Sequence, residues 1–253
     1  MSNTGRIFYG MAIAGIGLPT IYYKDFPYML FPTPSSLIPG LIYISGFLFI
    51  LVGACIVFEK KIRPVSMLFG FLLLLIFCFF YIPYLFGANS HYKNMLEWDN
   101  PGKELSLAGG AFVVAGAFAE KNKNRLNIIG DKLIRFGAIL FSLPLITFGS
   151  LHLLYAKDVS TLVPSWIPRP IFWTYLAGIA LIGSGISIIF KIKTRFIAAL
   201  LGSMIFIWFV ILHIPRVIHA PVTDLEGEVT SAFLALAYSG IAFVIAGAYS
   251  AEA

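Results

Sequence analysis

The chain has 253 residues, of which 59% are hydrophobic and only 12% are charged, and its mean hydropathy is +0.88. Soluble domains carry about 25% charged residues, so this composition excludes a protein whose whole surface faces water; the lipid bilayer is its first partner. The net charge of +6 does not point to nucleic acid, because the Lys and Arg residues stand in short turns between apolar runs, where they orient a membrane protein.

A helix needs about 20 apolar residues to cross a bilayer. Runs of this kind fall at residues 6–24, 38–58, 64–87, 104–120, 134–155, 170–190, 195–218 and 229–250. Unpaired backbone groups are too costly in hydrocarbon for open strands, so each run is expected to be helical. The first run, with Arg6 before Ile7–Tyr23, resembles a signal peptide at first sight. No small-residue cleavage site follows it, and a matching segment recurs in mid-chain. The expectation is an all-α integral membrane protein of eight transmembrane helices.

The basic residues set the orientation. Arg6, Lys60, Lys61, Arg63, Lys121, Lys123, Arg125, Lys132, Arg135, Lys191, Lys193 and Arg195 fall on one side, twelve of the 18. By the positive-inside rule that side is cytoplasmic, and so are both termini. Eight of the 12 acids, Glu97, Asp99 and Glu104 among them, fall on the outer side. The expected location is the bacterial inner membrane.

An offset of 132 residues superimposes the halves of the chain. Gly17 meets Gly149, Tyr23 meets Tyr155, Pro32 meets Pro164, Gly46 meets Gly178, Gly53 meets Gly185, and Ile82-Pro83 meets Ile214-Pro215. After a one-residue slip, Ala111–Gly116 meets Ala242–Gly247. Residues 1–120 then form a first four-helix unit, a degenerate copy. Residues 121–133 form a basic cytoplasmic linker, and 134–253 form a second unit. With an even number of spans per unit, the two bundles are related by a parallel pseudo-two-fold along the membrane normal. The recurring small residues suit close helix packing.

Polar groups are concentrated in the second unit. His152, Trp166, His213 and Arg216 stand where the first unit has Thr20, Pro34, Tyr81 and Tyr84. Each histidine lies about 18 residues, or about 27 Å, along its helix from the cytoplasmic end, so the two share a depth near the outer edge. Ionisable groups in spanning helices are expensive and turn inward. A quinone headgroup or a haem would suit them, but two histidines make a thin metal site, and no metal or catalytic residue is assigned. Arg216 suits an anionic headgroup or snorkelling to lipid phosphate. Trp166, in the Pro-rich stretch Val163–Trp173, is read as an interfacial anchor or a lid. The two cysteines, Cys55 and Cys78, are read as packing residues. No phosphate-binding loop, nucleophile elbow or zinc motif is present.

The segments Gly149-Ser-Leu-His152, Val163-Pro-Ser-Trp-Ile-Pro-Arg-Pro-Ile-Phe-Trp-Thr-Tyr-Leu-Ala-Gly178 and Leu212-His-Ile-Pro-Arg216 resemble the DoxX-like family of small four-helix membrane proteins, over roughly 134–250. The first unit keeps Pro32, Tyr43 and Gly46 but lacks the tryptophans and both histidines. The resemblance implies a four-helix membrane bundle per unit and, for some members, partnership with redox proteins. Three functions stay open: an accessory subunit of a membrane complex with a membrane or periplasmic protein partner, redox-linked or not; a quinone- or haem-binding oxidoreductase subunit using His152 and His213; and a small-molecule transporter. The absence of a charged residue at the estimated midplane of any helix speaks against the third.

Overall fold

Backbone groups removed from water must bond to one another, and in an apolar chain a helix does this within each segment. The computed structural model describes residues 1–26, 30, 39–88, 90–118 and 125–249, and the regular structure among them is entirely helical. In order these are α1 (Ser2–Tyr23), α2 (Pro39–Val57), α3 (Ile62–Ile76), a π-helical turn (Phe77–Tyr81), α4 (Ile82–Phe86) and a 3-10 turn (Met95–Trp98). There follow α5 (Asp99–Ala117), α6 (Arg125–Leu154), α7 (Ala156–Ser160), α8 (Pro170–Ile189), α9 (Thr194–Trp208), a second π-helical turn (Phe209–His213), α10 (Ile214–His219) and α11 (Leu225–Ala248). Residues 121–124 of the expected linker lie outside the described residues. The rest of that stretch is already helical, because α6 starts at Arg125. Its basic residues interrupt the apolar pattern, but Lys and Arg are good helix formers.

Six helical stretches are long and apolar enough to cross a membrane: Gly40–Val57, Ile62–Phe86, Ile128–Leu154, Pro170–Ile189, Thr194–His219 and Leu225–Ala248. The chain is therefore a multi-pass membrane protein on composition and length. Helices α1 and α5 fall outside this set. Their hydropathy is diluted by glycine and by Arg6 in α1 and Asp99, Lys103 and Glu104 in α5. Most of α5 is buried against other helices, so its surface has little need to match lipid.

The helices pack antiparallel through glycines. On α1 and α2, Gly10 faces Gly53 and Gly17 faces Gly46; on α6 and α8, Gly185 faces Ser142 and Gly178 faces Gly149. Helix α5 lies along α6 through Gly109 against Gly137 and Gly116 against Gly130, and α11 lies along α1 through Gly240 against Gly5 and Gly247 against Ser2. A Cβ on Gly53 would stand 2.4 Å from the Gly10 carbonyl oxygen, and one on Gly109 would stand 2.6 Å from that of Gly137. Only hydrogen fits at such crossings. Helices α1, α5, α6 and α11 form the interior, with α11 also touching α5; α2 and α3 flank one side and α8 and α9 the other.

Several local features recur at the 132-residue offset. Both π-helical turns precede a proline, Pro83 or Pro215, and in each an N–H reaches five residues back, Ile82 to the Phe77 oxygen and Ile214 to the Phe209 oxygen. Proline lacks an N–H and crowds the carbonyl four residues before it; widening the preceding turn relieves both problems. Glu59 and Lys61 between α2 and α3 are left-handed, as are Lys191 and Lys193 between α8 and α9. Arg6 has no counterpart of this kind: Ala138 stands at the matching position. Its guanidinium is buried and donates to the carbonyl oxygens of Ile56 (2.5 Å) and Val57 (2.7 Å) at the end of α2, and to Glu59 (2.6 Å). Those carbonyls lack helical partners, and a cation there also complements the helix dipole.

Gly109→Ala and Gly240→Ala should each destabilise the fold by about 1–3 kcal/mol, the usual cost of overpacking. Gly183→Ala, whose Cβ would meet nothing within 4 Å, should leave stability unchanged or slightly raised. Unfolding midpoints in detergent compare the three.

Candidate functional site

Helices α6, α8, α9 and α11 border a half-open cavity of about 480 Å³. Each wall is one helix face. From α6 come Leu145, Phe148, Leu151 and His152; from α8, Trp173, Thr174, Ala177 and Leu181; from α9 and its π-helical turn, Met204, Trp208, Leu212 and His213; from α11, Ser231, Leu234, Ala235 and Tyr238. The spacings of three, four and seven are those of a single helix face. The short helix α7 and the stretch after it close one end with Val159, Leu162 and Val163.

The structure brings the two histidines to one cavity. His152 Nδ1 donates to the Phe148 carbonyl oxygen at 2.8 Å. A carbonyl only accepts, so in the neutral ring Nδ1 carries the proton and Nε2 keeps the lone pair. His152 is thus a fixed acceptor for a hydroxyl or a ligand for a soft electrophile. Thr20, its counterpart in the first half, bonds the carbonyl four residues back in the same way, to Ile16. His213 is the last residue of the second π-helical turn, and its Nδ1 is buried without a hydrogen-bond partner among the described residues. Such a group costs about 1–3 kcal/mol until something bonds it.

Arg216 and Trp166 do not join them. The Arg216 guanidinium forms a forked pair with Glu228 at the start of α11, Nε donating to Oε2 at 2.8 Å and Nη2 to Oε1. It ties α10 to α11 and is already committed to a carboxylate. Tyr84 and Glu97 make the matching tie in the first half, where the tyrosine hydroxyl donates to the carboxylate. Trp166 is 68% exposed and stands outside the cavity, so it does not form a lid. The indole lining the cavity from that stretch is Trp173, whose Nε1 donates to the Pro168 carbonyl oxygen at 3.1 Å. His91 stacks on the Tyr84 ring at 4.5 Å, and His219 Nδ1 donates to the Pro215 carbonyl oxygen at 2.7 Å; neither lines the cavity.

Sequence reasoning missed one part of the site. The first half contributes to it: Asp99 and Lys103, one turn apart at the start of α5, line the cavity as an ion pair at 2.5 Å. Their i,i+4 spacing was readable, but not their approach to the second half. Outside the cavity lining, sequence reasoning also misplaced Glu104. It was expected at the outer end of its span; instead Gly102 packs on Pro144 and Phe148, and Gly109 on Gly137 and Phe141, so Glu104 lies level with the middle of α6. Its side chain is wholly buried, and neither carboxylate oxygen has a hydrogen-bond partner among the described residues. The absence of a charged residue at mid-depth, inferred from the spans, is thereby corrected. Among the described residues no group of three or more His, Cys, Asp or Glu could hold a metal ion.

The chain matches no protein-family model, no curated protein and no solved structure.

If Arg216 is a tie between helices, Arg216→Ala should destabilise the fold by roughly 1.5–3 kcal/mol, the range for hydrogen bonds to charged groups. Arg216→Ala/Glu228→Ala should recover part of that loss, since no half-buried carboxylate is then left alone. Unfolding midpoints of the two variants and the parent measure it.

Proposed function

We propose that this chain is an eight-span, DoxX-like protein of the bacterial inner membrane that binds an amphipathic small molecule of the quinone class between α6, α8, α9 and α11. The observation that carries the reading is the meeting of His152 and His213 in one largely apolar cavity. Its volume of about 480 Å³ lies within the range of small-molecule sites, which join apolar walls to a few placed polar groups. A quinone or quinol presents two oxygens across a flat ring, which suits one fixed lone pair on His152 and one unbonded nitrogen on His213. Trp173 and Trp208 supply flat apolar walls. Such a subunit would serve a redox partner in the membrane, which is the role the DoxX-like resemblance implies.

The eight-span topology is supported by the glycine crossings. Helix α1 runs antiparallel along α2 from Gly10–Gly53 to Gly17–Gly46, and α5 along α6 from Gly109–Gly137 to Gly116–Gly130. A helix lying along a spanning helix shares its depth, and 22 residues of α1 reach about 33 Å, enough to cross. The recurring crossings, π-helical turns and left-handed residues support a parallel pseudo-two-fold. Both termini and the turns at Lys61 and Lys193 are then cytoplasmic. Single cysteines at Lys61 and Lys193 should react with an impermeant maleimide only from the cytoplasmic side, and those at Ser90 and Val222 only from the outside. Labelling of Lys61 and Lys193 from opposite sides would defeat the eight-span reading.

Decylubiquinone should quench the fluorescence of Trp173 and Trp208 saturably in detergent. His152→Ala/His213→Ala should weaken binding by about 2 kcal/mol, the loss of two hydrogen bonds, or roughly 30-fold in Kd. Ala235→Phe should block binding by filling the cavity. Unchanged binding in both variants would refute the site. Mass spectrometry of the protein from native membranes identifies the resident molecule: a quinone supports the reading, whereas a haem, or lipid alone beside a co-purifying protein, replaces it with another of the functions weighed from the sequence.

A further inference from the structure

The half-open cavity has borders of different kinds. Its α6 and α11 walls are sealed: Leu145, Phe148, Leu151, Leu234 and Ala235 are buried, and the Phe148 and Tyr238 rings stack at 6.0 Å. At the end capped by α7 the lining is partly exposed and polar, with the Asp99–Lys103 ion pair beside Leu96 and Leu162. Between α8 and α9 it is also partly exposed, but apolar. Trp173 is 36% exposed, and Ala177, Met204, Trp208 and Leu212 are half-buried.

This second border follows from how the two helices are held. Helix α8 is fixed to α6, where Gly178 meets Gly149 and Gly185 meets Ser142. Helix α9 is fixed to α11, where Gly202 lies against the Phe243 ring and the Ser239 hydroxyl donates to the Gly202 carbonyl oxygen at 2.9 Å. Close helix contact in lipid depends on small residues, and no described glycine joins α8 to α9. The two are connected by the turn at residues 190–193 and otherwise pack on each other only sparsely. A slot is left between them. Leu176 and Ile207 precede the lining residues Ala177 and Trp208; they are 45% and 55% exposed and do not themselves line the cavity. Each lies 13 residues from the turn end of its helix, so they stand at one level. No Asp, Glu, Lys or Arg occurs from Pro170 to Ile189 or from Phe196 to His213. A gap between two such spanning helices opens on hydrocarbon, not on water.

We propose that the cavity takes its ligand from the bilayer through the slot between α8 and α9, and that this ligand is a lipid-dissolved molecule whose apolar tail stays in the slot while its polar end meets the histidines. The proposal rests on the ligand-site reading above and adds the route and the solvent from which the ligand comes. The lining is graded to match. His213 lies nine residues beyond Met204 on the same helical run, about 13 Å along it, so the polar groups stand toward the α7 end and the apolar slot extends deeper. The border at the α7 end is a poor entrance for such a molecule. An apolar tail passing there would strip water from the Asp99–Lys103 pair, which costs free energy. Passing from acyl chains to the apolar walls of the slot exposes no apolar surface to water.

Closing the slot from its lipid side tests this. Leu176→Cys and Ile207→Cys are introduced together in a chain with Cys55→Ala and Cys78→Ala, reconstituted in phosphatidylcholine vesicles and bridged with a flexible bis-maleimide. Stopped-flow quenching of tryptophan fluorescence by decylubiquinone gives the association rate. The bridge should slow association about tenfold or more, while capping the same two cysteines singly with N-ethylmaleimide should leave the rate within about threefold of the parent. An unchanged rate in the bridged protein, or failure of the two cysteines to bridge, would overturn the lateral route while leaving the ligand site standing. No saturable quenching even before bridging would refute the ligand site itself, and the route with it.

Discussion

Contact between backbones at glycine is the constraint on which the rest of this structure depends. Lipid offers no hydrophobic drive for helices to associate, so close approach and dispersion must supply it. Here Gly5, Gly10, Gly17, Gly109 and Gly137 remove the side chains that would hold α1, α2, α5, α6 and α11 apart. The cost falls on hydropathy. A helix rich in glycine and alanine gives lipid little apolar surface, which is why α1 and α5 are less apolar than α3 and α9. They are tolerated because their neighbours cover them. The same cover lets α5 carry Glu104 into the interior, where a lipid-facing helix could not.

The two π-helical turns end in side chains of different chemistry. The π-helical turn before Pro83 ends in Tyr81, which is 1% exposed and lines a cavity of about 170 Å³ with Tyr84 and Glu97. The turn before Pro215 ends in His213, which faces a cavity. The tie between helix ends is Tyr84 to Glu97 in one half and Arg216 to Glu228 in the other. A backbone device fixed by proline thus keeps its shape while its last side chain changes role. The two halves are joined where those roles meet, since α5 of the first half supplies Asp99 and Lys103 to the cavity of the second.

The helices were legible in the sequence because apolar length and charge punctuation follow directly from the bilayer. The shared depth of His152 and His213 was legible because rise per residue is constant. That they share a cavity was not, because facing depends on helix rotation, and the π-helical turn adds a residue just before His213. Trp166 and Trp173 illustrate the same limit. Both stand in one Pro-rich stretch, and only the start of α8 at Pro170 decides that Trp173 lines the cavity while Trp166 lies outside it. Glu104 was misplaced for a different reason. Its position near the start of an apolar run suggested the membrane surface, but depth is set by the partner helix, and α6 extends past the start of α5. The cue available in the sequence was the run of small residues after Glu104, which announces a helix covered on all sides.

This relocation changes the balance between functions. Transport seemed disfavoured because no charge was expected at mid-depth, and Glu104 removes that objection without making the chain a transporter. Transport requires the site to face each side in turn, usually by one repeat rocking against the other. Here the two halves are locked at α5–α6 and α1–α11 by glycine crossings as tight as those within each half. Rocking would have to open contacts in which backbone already touches backbone. A rigid scaffold fits that geometry better, because carrying a larger substrate across would need the helices to part.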